Sequence, residues 1–440
     1  MIREECAIDG IVNRLQELKP TRLLGRVRRT VGSSVEADGP PVPPGRLCYI
    51  TTDGEPLACE SQGFREGATL LFPYGRLDGV HPGALVEASS EPLSIGIGPE
   101  LIGRVIDGLG RPLDGQPDPV CHHIAKLQND APEALKRPRI TEALHTRVRV
   151  IDSLLTCGQG QRIGLFAGSG VGKSVLLGMI ARHGESDVNV VALIGERGRE
   201  VKEFIERDLG AEGMRRTIVV AVTSDQPPMM RLKGAELATS IAEYFRDRGK
   251  NVVLLFDSVT RVAMGLREIG LSAGEPPTTK GYTPSMYSYL PRLLERTGTN
   301  PHGSITAFYT VLVEGDDLTD PVADTVRATL DGHIVLSREL AGKNHFPAVD
   351  VLNSISRVMP DVVTPEHREA ATQLRGLLAA YRENEDIINI GAYVKGNSAL
   401  VDRAIDRKDE VDELLRQWIA EGEGFESTVT RMQQIVSERS

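Results

Sequence analysis

The chain has 440 residues, enough for about three domains, and its charged side chains sum to a net charge of −10. This acidic charge argues against binding along a nucleic-acid backbone, and 40% hydrophobic with 25% charged residues is typical of a globular protein. No run approaches the roughly 18 apolar residues of a membrane span, the N-terminus does not have the pattern of a secretory signal, and the scattered cysteines contain no CxxC pair. We therefore expect a cytoplasmic protein.

Residues 1–20 are predicted to form an N-terminal helical segment. Apolar residues recur at helical spacing from Ile8 to Leu18, and Pro20 ends the pattern. The apolar face either packs on its own domain or is exposed toward a partner helix or a membrane surface. The pattern alone leaves both alternatives open.

Residues 21–95 have the pattern of a small β-barrel domain, because short apolar runs alternate with turns rich in glycine and proline. The runs are LLGRV (23–27), LCYIT (47–51), TLLFP (69–73) and LVEAS (85–89). A stretch rich in glycine and proline follows at residues 107–119 and is expected to be a linker.

Residues 96–360 are predicted to form an α/β domain with a parallel sheet covered on both faces. From residue 160, near-continuous apolar runs alternate with amphipathic stretches, as such a sheet requires. Two of these stretches, residues 200–210 and 232–249, are expected to be helices that end at capping glycines. The predicted strands cover 163–166, 190–194, 217–222, 251–256, 305–313 and 333–336.

Residues 361–440 are predicted to form a C-terminal helical domain. One apolar stripe at helical spacing begins at Leu374 and ends at Tyr381, and a second begins at Val401 and ends at Trp418. No strand pattern follows Pro360.

The sequence AGSGVGKS, from Ala167 to Ser174, lies between a predicted strand and a predicted helix. It fits the phosphate-loop pattern, in which glycines let backbone N–H groups surround a phosphate. Lys173 would reach the β- and γ-phosphates of ATP, and the Ser174 hydroxyl would bind Mg²⁺. A dinucleotide-binding loop needs a different glycine spacing. The residues expected to bind the nucleotide are Gly168, Ser169, Gly170, Val171, Gly172, Lys173, Ser174 and Val175.

Two further strand ends offer groups that could complete this site. Asp257 follows the apolar run NVVLLF and is a candidate second ligand for the metal. Glu196 and Arg197 follow another run, and a carboxylate at this position could polarise the attacking water. Spacing alone is equally consistent with Glu196 being a charge at the start of a helix.

Two other polar clusters carry no predicted chemistry. Cys121, His122 and His123 have no second ligand pair at a usable spacing and are interpreted as an ordinary loop. The acidic residues 314–317 are too few for a calcium loop and are interpreted as a solvated turn.

Taken in order, these motifs resemble the rotary ATPase superfamily, specifically the ATPases of flagellar and injectisome type III protein export. The resemblance covers nearly the whole chain and implies a RecA-like nucleotide domain with an N-terminal barrel and C-terminal helices. It includes AGSGVGKS (167–174), IGERGREV (194–201), TSDQPPMMRLKGA (223–235), residues 257–285, DGHIVLSREL (331–340) and FPAVDVLNSISRVM (346–359).

The resemblance also implies roles for individual residues. Glu196 matches the catalytic carboxylate, with Arg197 supporting it, and Phe346 matches the residue that stacks on adenine. Arg357 matches the arginine that is offered to the γ-phosphate of a neighbouring subunit, which implies a homohexameric ring.

The partners implied are a stator-like regulator at the N-terminal segment, a central stalk protein in the pore beside residues 267–284, and export substrates with their chaperones. The implied location is the cytoplasmic face of the inner membrane. The favoured function is ATP hydrolysis that drives protein export, with a preference for the flagellar branch. The alternatives are an ATP synthase catalytic subunit, a hexameric RNA translocase, which the negative charge and aromatic-poor barrel disfavour, and a non-catalytic nucleotide-binding subunit.

Overall fold

A computed structural model describes residues 22–313 and 320–437. The predicted helical segment 1–20 and the acidic sequence 314–317 therefore lie outside the described residues. The described chain divides into two compact units, one formed by residues 22–94 with Glu268–Glu275 and the other by residues 95–267 and 276–437. No helix in these described ranges is both long and apolar enough to span a lipid bilayer.

The first unit contains the predicted barrel, which closes through six strands in the described part of the chain. Its interior is aliphatic, and Val35, Ile50, Leu71 and Val86 are fully buried there. The strands are β1 (Leu24–Val31), β2 (Ser34–Asp38), β3 (Leu47–Ile50), β4 (Leu57–Arg65), β5 (Ala68–Pro73) and β6 (Leu85–Ala88), in the order β1-β2-β5-β4-β3-β6.

The second unit is built on one large sheet. Its central strands are parallel and buried on both faces, which explains their continuous apolar sequences. The strands of this unit are β7 (Ile95–Ile97), β8 (Val105–Ile106), β9 (His123–Ala125), β10 (Ala143–Leu144), β11 (Cys157–Gly158), β12 (Arg162–Ala167), β13 (Val188–Glu196), β14 (Thr217–Thr223), β15 (Asn251–Asp257), β16 (Gly298–Thr299), β17 (Ser304–Leu312), β18 (Gly332–Leu336) and β19 (Ile355–Ser356). The order in the large sheet is β19-β18-β12-β17-β15-β13-β14-β8, and β16 pairs with β17.

Helices cover this sheet and continue into the C-terminal part of the unit. The helices are α1 (Arg149–Leu154), α2 (Lys173–His183), α3 (Gly198–Glu203), α4 (Gly210–Met214), α5 (Pro228–Arg246), α6 (Val259–Ala273), α7 (Pro284–Glu295), α8 (Pro321–Thr329), α9 (Arg338–Gly342), α10 (Met359–Val362), α11 (Pro365–Asn389), α12 (Ala399–Asp406), α13 (Lys408–Leu415) and α14 (Phe425–Val436). The architecture of barrel, parallel-sheet nucleotide domain and C-terminal helices confirms the predicted fold class.

Several local predictions were wrong. The helix after Glu196 does not end at Gly210, because Phe204–Leu209 forms a π-helical turn that brings Asp208 against Gly178, and the helix resumes as α4. The prediction for the next helix, α5, was correct: its regular part ends at Arg246, and Gly249, with a φ of 77°, caps it through hydrogen bonds from the N–H groups of Gly249 and Lys250 to the carbonyls of Arg246 and Phe245. The second C-terminal stripe is two helices, α12 and α13, and Trp418 follows them on the surface.

The glycine- and proline-rich stretch 107–119 is not a linker between the two units. It lies within the second unit, since β8 pairs in parallel with β14 immediately before it. Asp107 then accepts hydrogen bonds from the N–H groups of Leu109 and Arg111, at 2.8 and 2.9 Å, which hold the stretch in a tight turn.

Candidate active site

The phosphate-loop sequence joins the carboxyl end of β12 to the start of α2. Gly172 has a φ of 90°, which other residues rarely adopt, and Lys173 is the first residue of the helix. Ser174 and Val175 form the first turn of α2, where backbone N–H groups lack partners within the helix. The local structure is that of an anion-binding loop at a helix N-terminus.

Lys173, Glu196 and Asp257 meet at the carboxyl edge of the sheet. Lys173 Nζ lies 2.5 Å from Asp257 Oδ1 and 3.8 Å from Glu196 Oε1. Thr310, on β17, donates a hydrogen bond to the same Asp257 oxygen at 2.8 Å. The structure thus brings together three charged groups that were selected separately from the phosphate loop and two strand ends.

Burial controls the electrostatics of this cluster. It raises the pKa of Glu196 to about 7, and the negative charge of Asp257 adds to the increase while Lys173 opposes it. Burial also lowers the pKa of Lys173, but the attraction of Asp257 and Glu196 outweighs it, so the pKa of Lys173 is raised. Glu196 is therefore poised between its acid and base forms near neutral pH, whereas Lys173 stays charged.

One oxygen of Glu196, Oε1, is buried and accepts no hydrogen bond from the described residues. Buried carboxylate oxygens are normally paired, since an unmade hydrogen bond costs about 1–3 kcal/mol. This oxygen is a ready acceptor at the edge of the phosphate-loop cluster.

Arg197 does not join this cluster in the structure. Its side chain is 82% exposed and lies 3.9 Å from Glu200. Arg261, which was not among the predicted site residues, acts on the Glu196 carboxylate instead. It packs on Gly195, where a Cβ atom would fall 2.7 Å from Arg261 Cβ, and its charge lowers the pKa of Glu196.

A signal for Arg261 was present, because it lies four residues after Asp257 and thus in the first turn of α6, which begins at Val259. Arg338 was also missed. Its guanidinium lies against the phosphate loop, with Nε 2.7 Å from the position that a Cβ of Gly168 would take.

Phe346 lies beside the phosphate loop. Ring atoms Cδ1 and Cε1 are 3.6 Å from the position of a Cβ at Gly172, and the side chain is 42% exposed. An aromatic face is therefore available next to the point where the loop enters α2.

Arg357 lies at the opposite edge of the sheet. Its N–H donates to the carbonyl of Asp331, directly before β18, and β18 runs parallel to β12. The phosphate loop follows the other end of β12, five residues further on, or about 17 Å at roughly 3.3 Å per residue. The exposed side chain of Arg357 is thus remote from the phosphate loop of its own chain.

No group of three or more histidine, cysteine or acidic side chains in the described ranges could hold a metal by itself. His123 packs instead against the ring of Tyr244, at 5.2 Å between centroids. The Ser174 hydroxyl and the Asp257 carboxylate are hard oxygen donors of the kind Mg²⁺ uses when substrate phosphates supply the remaining ligands.

Comparison with known proteins identifies the family. The ATP synthase alpha/beta family nucleotide-binding domain matches residues 147–356, and the T3SS EscN ATPase C-terminal domain matches residues 363–434. A flagellum-specific ATP synthase of Bacillus subtilis is 55% identical over 93% of this chain and 94% of its own length. A type 3 secretion system ATPase of Xanthomonas euvesicatoria is 48% identical over 98% of both chains.

Solved structures agree with these relatives. The assembled ATPase EscN from the enteropathogenic E. coli type III secretion system matches with a TM-score of 0.90 at 43% identity, covering 94% of this chain and all of that one. EscN in complex with its central stalk EscO matches with a TM-score of 0.87 at 42% identity, over the same shares of the two chains.

These similarities confirm the predicted nucleotide-binding domain and the ATPase activity, and they support an export motor over a rotary ATP synthase subunit or an RNA translocase. The chain belongs to the family of ATPases that comprises the flagellum-specific ATP synthases and the type 3 secretion system ATPases.

Proposed function

We propose that this ATPase works as a homohexameric ring in type III protein export, of the flagellar branch, with each active site shared between two neighbouring subunits. The separation of Arg357 from Lys173, at opposite edges of one sheet, carries this proposal. An arginine that cannot serve its own phosphate loop can serve the loop of a neighbour, and an arginine supplied in trans makes hydrolysis depend on assembly.

Within one subunit, the backbone of residues 168–175 and Lys173 would hold the ATP phosphates. Ser174 and Asp257 would hold Mg²⁺, which neutralises charge on the phosphates when it is bound. Glu196 would accept a hydrogen bond from the attacking water through Oε1 and take up its proton. Its pKa of about 7 suits this role, because a general base works best when its pKa is near the working pH.

Arg261 would assist at the same edge, since its positive charge already acts on Glu196. Arg197 would have to move from its exposed position to support the carboxylate. Phe346 would stack on the adenine ring beside Gly172.

The proposed partners follow from relatives and from the motif resemblance. EscN forms a complex with a central stalk protein, so we place a stalk protein in the pore of this ring, beside residues 267–284. A stator-like regulator would bind residues 1–20, and substrates with chaperones would arrive at the cytoplasmic face of the inner membrane. No nucleic-acid partner is proposed.

A mixing experiment tests the shared site. Glu196→Gln and Arg357→Ala are each expected to be inactive, since every site in each ring lacks one group. An equimolar mixture should recover about a quarter of the wild-type rate of phosphate release, because about one interface in four joins an intact Glu196 to an intact Arg357. Mixing each of these variants with Lys173→Ala then shows which residues act from the same subunit.

The mixture of Lys173→Ala with Arg357→Ala should recover activity. The mixture of Lys173→Ala with Glu196→Gln should not, because Lys173 and Glu196 act from the same subunit and no subunit in that mixture has both. No recovery in any mixture, with ring formation verified by analytical ultracentrifugation, would contradict a shared site.

A further inference from the structure

We infer that Gln161 is a positioning residue for Arg357, because its buried side-chain amide fixes the segment from which this arginine leaves the subunit. The inference rests on the proposed function, in which Arg357 serves the phosphate loop of a neighbour. Gln161 directly precedes β12 and lies outside the motifs that identified the other site residues. Its side chain is fully buried, although glutamine is mostly exposed in proteins.

Both ends of the Gln161 amide are bonded. Nε2 donates to the carbonyl of Asp331 at 3.2 Å and to the Ser356 hydroxyl at 3.0 Å. Oε1 accepts from the N–H of Gly158 at 2.9 Å. Reversing the amide would set its NH₂ group against that N–H, so a single orientation is compatible with these partners. The amide therefore links the loop before β12 to the start of β18 and to β19.

The two groups that the Gln161 amide holds are those that carry Arg357. The carbonyl of Asp331 accepts the N–H of Arg357 at 3.1 Å as well as the amide. The hydroxyl of Ser356, the residue before Arg357, donates onward to the carbonyl of Thr156 at 2.8 Å. The main chain at Arg357 is thus bonded to the interior of its own subunit, whereas the side chain is exposed.

The backbone around the amide is closely packed. Gly332 lies opposite Ser356 where β18 and β19 pair. A Cβ atom at Gly332 would fall 2.6 Å from the carbonyl oxygen of Ile355 and 3.3 Å from Gln161 Nε2. Glycine permits this close approach, which keeps the strand that precedes Arg357 against the Gln161 amide.

The next residue, Arg162, holds Asp331 from its side-chain end. The main-chain N–H and Nε of Arg162 each donate to Asp331 Oδ2 at 3.0 Å, and Nη2 donates to Oδ1 at 3.0 Å. The N–H of Asp331 in turn donates to the carbonyl of Arg162 at 2.9 Å. Paired bonds of this kind fix geometry as well as adding energy. The starts of β12 and β18 are therefore joined firmly, and Gln161 extends the joint to Arg357.

Arg357 has to meet the γ-phosphate of a neighbour with a side chain that its own subunit leaves exposed. The main chain is then the part through which the subunit sets the position of the guanidinium. In catalysis, a misplacement of about 1 Å can cost roughly 10²-fold in rate. Removing the donors of Gln161 should therefore slow the neighbour's site and leave nucleotide binding by the altered subunit intact.

Gln161→Met tests this role, because methionine is of similar length and cannot donate a hydrogen bond. With ring formation verified by analytical ultracentrifugation, kcat should fall by about 10- to 100-fold. The ADP Kd of the dilute chain, measured by calorimetry, should be unchanged. Ser356→Ala removes a single hydroxyl and should lower kcat in the same way, by less. Gln159→Met, two residues earlier and partly exposed, is the matched control and should keep the wild-type kcat.

Mixed rings show on which side of the interface Gln161 acts. An equimolar mixture of Gln161→Met with Glu196→Gln should recover about a quarter of the wild-type rate of phosphate release, because about one interface in four joins an intact Glu196 to a correctly held Arg357. The mixture with Arg357→Ala should be slower than Gln161→Met alone, because no subunit in it presents a correctly held arginine. A general structural defect of the Gln161→Met subunit would leave both mixtures slow.

Two results would overturn the inference: a wild-type kcat in Gln161→Met rings, or no recovery in the mixture with Glu196→Gln. If Gln161→Met does not fold or form rings, Ser356→Ala takes its place in the same mixtures and is judged by the same two results. Arg357→Ala separates this failure from that of the proposed function. A normal assembled kcat in Arg357→Ala would contradict the shared site itself. A loss of kcat in Arg357→Ala, together with either overturning result, would remove only Gln161 from the account.

Discussion

The two edges of the central sheet differ in how complete they are. At the carboxyl edge, Lys173, Glu196 and Asp257 converge, are largely buried and interact with one another. At the amino edge, Arg357 is exposed. Its N–H donates to the carbonyl of Asp331 at 3.1 Å, and its guanidinium reaches the carbonyl of Leu330 at 3.5 Å. One edge thus carries the buried cluster beside the phosphate loop, and the other carries the exposed arginine that we propose to act on a neighbour.

The difference shows how a single fold can separate binding from turnover. In the proposed ring, the carboxyl edge would hold the nucleotide of its own subunit, and the amino edge would offer Arg357 to a neighbour. Variants at the two edges should therefore differ in how their defects depend on assembly.

The largest effect is expected at the amino edge. Arg357→Ala should lower kcat in the assembled state by about 10³-fold or more, because an arginine supplied in trans stabilises the transition-state charge. ATP affinity of the dilute chain should stay unchanged, as measured by calorimetry. Arg368→Ala, at another exposed arginine, is the control. An Arg357→Ala enzyme with normal assembled kcat would remove the distinction between the two edges.

At the carboxyl edge, Glu196→Gln should lower kcat by about 10²–10⁴-fold at every protein concentration, since it removes the general base and leaves the fold intact. Phosphate release by the purified variant provides the measurement. Arg199→Ala, three residues away and exposed, should keep the wild-type rate. Equal rates for Glu196→Gln and wild type would exclude Glu196 as the base.

A smaller effect is expected from Gly195→Ala. Gly195 has a φ of 76°, and an added Cβ would fall 2.7 Å from Arg261, so the substitution strains β13 by about 1–3 kcal/mol and displaces the arginine next to Glu196. We expect a lower Tm and roughly tenfold less activity. Gly198→Ala is the matched control, because its nearest neighbour lies 3.8 Å away. Equal losses in both variants would contradict the local explanation.

The smallest effect is a pH dependence. Because Glu196 in the folded chain has a pKa of about 7, it loses its proton as pH rises through neutrality, and kcat/KM should rise with it. This rise of kcat/KM with pH should be absent in Glu196→Gln. Between the ordinary value of 4.5 and about 7, the folded state binds a proton that the unfolded chain releases, so this group's contribution to stability falls as pH rises. Denaturant titrations of both proteins at pH 5 and pH 8 measure the difference, and parallel pH profiles would contradict the assignment.

The sequence predicted most of the carboxyl edge, for a simple reason. Parallel strands bring their carboxyl ends to one edge, so a phosphate loop and two acidic strand ends must meet once the strands are recognised. The near-continuous apolar runs also predicted the bounds of the strands closely, because buried parallel strands are apolar at every position.

What depends on long-range packing was less predictable. The π-helical turn at Phe204–Leu209 brings Asp208 against Gly178, a long-range contact that no local pattern encodes. Trp418 satisfied a helical stripe by spacing, but hydrogen bonds of Gln417 to Phe346 and Arg147 hold its segment outside the helix. The exposed position of Arg197 and the proximity of Arg261 also required the three-dimensional arrangement.

The bond between Lys173 and Asp257 makes the two groups each other's counter-ion. In the proposed site, a phosphate that engages Lys173 would release Asp257 for a cation, and a cation that engages Asp257 would release Lys173 for a phosphate. Nucleotide and metal affinities would then be linked, and each ligand would strengthen the other by the same factor. Such a cluster would favour joint arrival of the two ligands over either one alone, with Thr310 as a further hydrogen-bond donor to Asp257.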